Sequence, residues 1–86
     1  MIIAKVIDKV VATRKCESLH GIKLLAVEEC TGKGILIAGD MLGAGMGEYV
    51  MVACQDAAFS AAGRELPVDA MVVGIIDQKP AFIEEI

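Results

Sequence analysis

Aromatic side chains are scarce in this sequence of 86 residues, which has no tryptophan, one tyrosine and two phenylalanines. Proteins that bind single-stranded nucleic acids stack the bases on aromatic rings in a basic groove. The net charge of −4 also deprives the chain of the basic excess that attracts phosphate backbones. These two deficits disfavour nucleic acid as a partner.

Long hydrophobic runs are missing as well. The apolar stretches at residues 35–38, 49–54 and 71–76 are short beside the roughly 20 residues that a membrane-spanning helix needs. The first six residues lack the basic lead and the small-residue cleavage site of a signal peptide. We therefore expect a cytoplasmic protein that does not use a membrane as a partner.

Residues that carry catalysis or bind metals are few. His20 is the only histidine, and it stands in a C-x3-H spacing with Cys16, whereas a zinc site needs three or four ligands. The odd set of Cys16, Cys30 and Cys54, without an export signal, favours free thiols. Neither serine has the surroundings of a nucleophile. The expectation is no catalytic residue, no metal and no cofactor, and an enzyme or metal protein that uses Cys16, His20 or the acidic residues is kept only as a secondary hypothesis.

Apolar material is abundant in contrast, since 56% of the residues are hydrophobic. A chain of this length forms one domain, residues 1–86, and such a domain buries only a modest share of its surface. Some of the apolar surface must therefore face outward or be covered by another copy of the chain.

The distribution of valine, isoleucine and glycine predicts short strands. We place the strands at residues 2–13, 22–29, 35–39, 48–55 and 71–77, with a bulge at Asp8-Lys9 and a short terminal strand at 81–86. Asp56 is expected to cap a short helix that Gly63 ends. These elements predict an all-β fold, a small five-stranded OB-like Greek-key barrel with one short helix.

Two of the predicted strands are apolar on both faces. In residues 49–54 and 71–76 the odd and the even positions are both hydrophobic, whereas a strand with one wet face alternates. We therefore expect both faces of these strands to be covered, and a neighbouring subunit is the simplest way to cover the face that does not line the barrel core.

The segment Gly43-Ala44-Gly45-Met46-Gly47-Glu48 is the most distinctive motif. Its G-x-G-x-G spacing differs from the G-x-G-x-x-G of dinucleotide-binding loops, and a strand rather than a helix is predicted to follow. Two interpretations stay open: a tight turn inside one chain, or a backbone junction between subunits. The nearby Asp40 is expected to cap a turn at a strand end, as are Asp69 and Asp77.

Four segments together resemble the bacterial microcompartment vertex family, typified by EutN and CcmL. They are VATRK at residues 11–15, LHGIKLL at 19–25, DMLGAGMGEYV at 40–50 and PVDAMVVGIID at 67–77. The resemblance implies a non-enzymatic homopentamer that caps the fivefold vertices of a shell built mainly of hexameric proteins. It also implies assembly roles for Gly43, Ala44, Gly45, Gly47 and Glu48, and for a second segment, Thr13, Arg14 and Lys15.

The alternative is a small OB-type binding module for an oligonucleotide or a small ligand, which the charge and the aromatic content oppose. The chain departs from the family pattern at two places. Many members have a glycine near position 8, and many have a small Gly/Ser-Ser-Ala-Arg segment where this sequence reads QDAAF at residues 55–59.

Overall fold

The computed structural model describes residues 1–32, 34–63 and 66–83. Within them the chain forms the strands β1 (Ile2–Val10), β2 (Lys23–Glu29), β3 (Ile35–Asp40), β4 (Tyr49–Cys54) and β5 (Ala70–Ile76), and the helix α1 (Asp56–Ala62). Two 3₁₀ turns lie at Glu17–Leu19 and Ala81–Ile83. The strands close into a barrel in the order β1-β2-β3-β5-β4, which confirms the predicted fold. No helix in these described ranges is long and apolar enough to cross a membrane.

The barrel is held by four antiparallel ladders and one parallel contact. Strand β1 pairs with β2 and β4, β2 pairs with β3, and β4 pairs with β5, all antiparallel. Strands β3 and β5 run parallel and share one register pair, Gly39 with Met71. The seam between β3 and β5 is therefore the least paired part of the barrel wall in the described chain.

Small and medium apolar side chains fill the barrel. The main cluster contains ten buried residues: Ala4, Val6, Leu25, Val27, Ala38, Ala44, Val50, Val52, Ala70 and Val72. A second cluster lies beneath α1 and joins that helix to the barrel: Ile22, Ala58, Ala62, Leu66 and Met71. The helix has two turns at most, and this burial is what stabilises it.

Several predicted boundaries needed correction. Strand β1 ends at Val10 instead of Thr13, and its bulge falls between Val6 and Asp8, one position before the predicted site. The predicted terminal strand is wrong at residues 81–83, which form a 3₁₀ turn because the Ile83 N–H donates to the Pro80 carbonyl at 3.0 Å. The rest of that predicted strand, residues 84–86, lies outside the described residues.

The start of α1 also differs from expectation. Gln55 occupies the N-cap position with φ 55° and ψ −126°, and Asp56 is the first helical residue and makes no capping hydrogen bond. The Gln55 N–H donates to the Asp69 carbonyl at 2.7 Å, so the start of β5 holds this backbone in place. The predicted end is confirmed, since Gly63 has φ 72°.

The outward faces of β4 and β5 are only partly covered within the chain. Val50 and Val52 are fully buried in the barrel, whereas the outward Met51 is 40% exposed. Both faces of these strands were predicted to be covered because both are apolar. Within the single chain the barrel core covers the inner face, and the outer face is covered only in part.

Candidate assembly site

The glycine-rich loop at residues 41–48 is anchored by the last residue of β3. The side chain of Asp40 is buried, with 3% of the residue exposed. Its Oδ1 accepts a hydrogen bond from the Leu42 N–H at 2.9 Å, and its Oδ2 accepts one from the Ala44 N–H at 2.8 Å. Hydrogen bonds to an ionised carboxylate are among the strongest in proteins. Asp40 does cap a turn, as predicted, but its burial was not foreseen.

Ala44 is the point where this loop enters the core. Its methyl group belongs to the main cluster and is fully buried. Its carbonyl accepts a hydrogen bond from Lys23 Nζ at 2.8 Å, so that Asp40 and Lys23 fix the two sides of one peptide segment. Lys23 was not recognised from the sequence, because 21 residues separate it from Ala44 and no local pattern joins them.

The second half of the loop forms a turn docked on β1. Glu48 Oε1 accepts from the Gly45 N–H at 2.6 Å, and the Glu48 N–H donates to the Gly45 carbonyl at 3.2 Å. The Gly47 N–H donates to the Val6 carbonyl, and the Val6 N–H donates to the Glu48 carbonyl, both at 2.9 Å. Gly43 and Gly47 have φ of 87° and 82°, which side-chain-bearing residues rarely adopt. The interpretation as a tight turn inside one chain is thus correct for the backbone.

The loop nevertheless turns apolar side chains outward. Met41, Leu42 and Met46 are all exposed, while the hydrogen bonds described above occupy the backbone groups between them. A hydrogen-bonded loop that presents large apolar side chains to water has the character of a contact surface for another macromolecule.

The second predicted segment, Thr13, Arg14 and Lys15, is exposed in the connection between β1 and β2. Lys23 pairs with Asp40 at the start of β2, so this connection and the glycine-rich loop leave the same end of the barrel. Among the residues that the structure describes, no hydrogen bond or ion pair joins the two segments. The structure brings together the members of the glycine-rich loop and leaves the basic segment beside it.

Two of the residues considered for metal chemistry, Cys16 and His20, flank the 3₁₀ turn at Glu17–Leu19. His20 Nε2 is 3.8 Å from Glu17 Oε2, and both side chains are exposed. In the described ranges no group of three or more His, Cys, Asp or Glu side chains is placed to hold a metal ion. Burial raises the pKa of the Cys30 thiol, and the Glu28 carboxylate raises it further, which keeps this thiol protonated.

A shallow pocket of about 250 Å³ lies at the opposite end of the barrel from the glycine-rich loop. Its lining includes the apolar residues Ile2 and Leu36 and the acidic residues Glu29 and Asp69. Drug-sized ligands usually occupy about 300–1,000 Å³. Two acidic residues in the lining of so small a pocket make it poorly suited to the phosphates of an oligonucleotide.

The closed five-stranded barrel with its one short helix defines a small OB-like domain. Residues 1–77 match the family model described as ethanolamine utilisation protein EutN/carboxysome. The chain belongs to the EutN/CcmL family.

Similar proteins cover nearly all of the chain. The carboxysome shell vertex protein CcmL of Synechocystis is 47% identical over 83 residues, which cover 90% of this chain and 83% of that protein. The solved structure of CcmL from Nostoc is 39% identical, covers 96% of both chains and has a TM-score of 0.83. The pentameric microcompartment shell protein GrpN from Rhodospirillum rubrum is 40% identical, with a TM-score of 0.78 over 94% of this chain and 98% of that one.

Proposed function

We propose that this chain is a structural shell protein whose homopentamer caps the fivefold vertices of a bacterial microcompartment in the cytoplasm. The observation that carries the proposal is the match, over nine-tenths of the chain, to proteins named as shell vertex proteins. Residues 1–86 act in it as a single domain.

The geometry of a closed shell explains why such a subunit is needed. Hexagonal tiles alone form a flat sheet, so a polyhedral shell closes only if fivefold tiles occupy its corners. A ring forms when a head-to-tail interface returns to its starting subunit, and this requires two different contact surfaces on each copy. The hexameric shell proteins are therefore the second class of partner.

The glycine-rich loop is assigned to assembly within this function. Gly43, Ala44, Gly45, Gly47 and Glu48 hold the backbone of the loop, and the exposed apolar side chains between them make the contact. The neighbouring segment Thr13, Arg14 and Lys15 forms a second, basic site at the same barrel end. A basic segment on an acidic chain suits contacts with acidic surfaces of other subunits.

A structural role without catalysis is part of the proposal, and the names of the relatives support it. The competing function, a small OB-type binding module, is opposed by the net charge of −4 and by the three aromatic residues of the chain. Salt-dependent binding of single-stranded DNA would favour that module instead.

Native mass spectrometry of the purified protein at micromolar concentration tests the stoichiometry. A closed ring of five chains is expected. A stable monomer would contradict assembly, and a closed ring of another size would contradict the fivefold vertex. Co-production with a hexameric shell protein of the same organism tests the role, because closed particles should form with the chain and open sheets or tubes without it.

A further inference from the structure

Cys30 is buried although it lies on the outer side of the barrel wall. The residue directly follows β2, and its N–H donates to the Ile3 carbonyl at 2.9 Å, which continues the pairing between β1 and β2. Leu25 and Val27 belong to the main cluster, so the alternation of side chains along the strand turns position 30 outward. Cys30 is nevertheless only 1% exposed. A segment outside the barrel wall therefore covers this thiol.

The chain that follows β5 leaves the barrel close to this place. Ile76, the last residue of β5, pairs with Tyr49 of β4. Lys5 of β1 pairs with Tyr49 on one side and with Glu28 of β2 on the other. A row of paired residues thus leads from the end of β5 to β2, two positions before Cys30, and residues 77–83 start at this row.

The segment 77–83 ends in a buried isoleucine. Ile83 is 1% exposed, and its N–H closes the 3₁₀ turn, whereas the adjacent Phe82 is 75% exposed. Ile83, like Cys30, belongs to neither of the two buried clusters found in the described chain. The segment therefore buries one large apolar side chain outside both cores.

The charge of Lys79 indicates where the segment lies. Burial raises the pKa of the Cys30 thiol, the Glu28 carboxylate raises it further, and the ammonium groups of Lys5 and Lys79 act in the opposite direction. A charge has such an effect only when it is near the thiol, since salt screens charges more than about 10 Å apart. Lys79 belongs to the segment that Ile83 ends, so this segment lies beside Cys30.

The other neighbouring segments of the described chain lie elsewhere. Helix α1 packs against β4 and β5, and the glycine-rich loop docks on Val6, further along β1. The turn that follows Cys30 is exposed at residues 31, 32 and 34. The segment 77–83 is therefore the cover that accounts for the burial of Cys30.

We infer that residues 77–83 form a strap over the outer surface of β1 and β2, and that this strap gates the Cys30 thiol. The ladders of the described chain end at Ile76, so the burial of Ile83 is the apolar anchor of the strap. Segments outside the strand ladders open at a lower free-energy cost than the strands beneath them. The closed strap protects the thiol, and a displaced strap makes Cys30 a modification site for small electrophiles while the barrel stays folded.

N-ethylmaleimide is the probe for the accessible thiol. The Cys30 sulfur forms a bond to one carbon of the maleimide double bond, the π bond breaks, and the thiol proton ends on the other carbon. Ile83→Ser removes the apolar anchor and should speed the labelling of Cys30 at least about tenfold. Phe82→Ser is the matched control, because this exposed neighbour anchors nothing, and labelling should stay as slow as in the parent.

The reverse substitution reads the same contact from the other side. Cys30→Phe overfills a fully buried place beneath the strap and should displace it. Chymotrypsin cleavage after Phe82 reports the displacement, because a protease needs a locally opened chain even where the side chain is exposed. Cleavage should be at least about tenfold faster than in the parent. Cys16→Phe, at an exposed thiol, is the control and should leave the rate unchanged.

Circular dichroism monitors the barrel in every variant. A folded Ile83→Ser variant that keeps Cys30 protected would overturn the inference, as would a Cys30→Phe variant cleaved no faster than the parent. Loss of the barrel fold in Ile83→Ser would also overturn it, because a strap outside both buried clusters must be dispensable for the strands.

Discussion

The carboxylate of Asp40 holds the backbone N–H of Ala44 at 2.8 Å inside the protein, four residues further along the chain. This bond closes the glycine-rich loop onto the end of β3 before any second subunit arrives. A surface already ordered in the single chain loses less conformational entropy on association than a mobile loop would. The same hydrogen bond therefore stabilises the barrel and holds the loop in the conformation that exposes Met41 and Leu42.

Replacing Asp40 with asparagine should destabilise the fold. The amide keeps one acceptor oxygen, so one of the two N–H groups of Leu42 and Ala44 faces an NH₂ donor. Loss of a buried, charge-assisted hydrogen bond costs about 1–3 kcal/mol. Urea denaturation measures the change, and Asp77→Asn at an exposed position is the control. Equal stability of the two variants would contradict the anchoring role of Asp40.

Substitutions at the loop glycines should differ in cost. Gly47→Ala forces a Cβ into a backbone with φ 82° and should lower the free energy of unfolding by about 1 kcal/mol or more. A Cβ on Gly45 would lie 3.3 Å from Glu48 Oε1, and Gly45 does not have a positive φ, so Gly45→Ala should cost less. Thermal unfolding of both variants decides this order, and the reverse order would show that crowding matters more than φ.

Ala44→Leu should overfill the end of the barrel. The Ala44 methyl is fully buried in the main cluster, and extra methylenes in a packed core cost about 1–3 kcal/mol. Ala57→Leu, at an exposed position of α1, adds the same atoms without crowding and should leave stability nearly unchanged. The comparison by denaturant unfolding would go against the packing argument if the two variants lost similar stability.

Gln55→Gly should stabilise the protein. Gln55 has φ 55° and ψ −126°, a conformation that costs a residue with a side chain about 1–3 kcal/mol. Glycine removes most of that strain and loses some of the gain to its larger unfolded-state entropy, so a net increase of about 1 kcal/mol is expected. Ala57→Gly, inside the helix, should instead destabilise. A fall in melting temperature for Gln55→Gly would indicate that its side chain contributes more than the strain removes.

The thiols should react in a fixed order with alkylating reagents. Cys16 is exposed and should be modified first, whereas Cys30 is buried, with a raised pKa, and should be protected until the protein unfolds. The Cys30 thiol loses its proton at a higher pH in the folded protein than in the unfolded chain. Its contribution to the free energy of unfolding is therefore fully present below the ordinary pKa of 9.0, and it declines as the pH rises through the higher pKa of the folded protein. Mass-spectrometric mapping after timed alkylation tests the order, which early labelling of Cys30 would contradict.

Local patterns in the sequence anticipated those parts of the structure that depend on neighbours along the chain. Valine and isoleucine segments between glycines predicted five strands, because such residues fit a pleated surface wherever it is formed. Gly63 predicted the end of α1 for a similar reason, since only its own backbone conformation is involved. The terminal strand was wrong at residues 81–83, where Pro80 begins a turn and apolar composition alone does not specify pairing.

The sequence by itself thus determined an apolar, acidic chain of short strands with a glycine-rich loop, and its motif series indicated the family. Only the tertiary structure decided that Asp40 and Lys23 hold Ala44 from two sides, that Gln55 adopts a strained cap, and that Ile37 and Met51 face away from the core on separate sides of the barrel. The reason is strand register: a shift of one residue exchanges the two faces of a strand, and that register is set by pairing between segments that are distant along the chain.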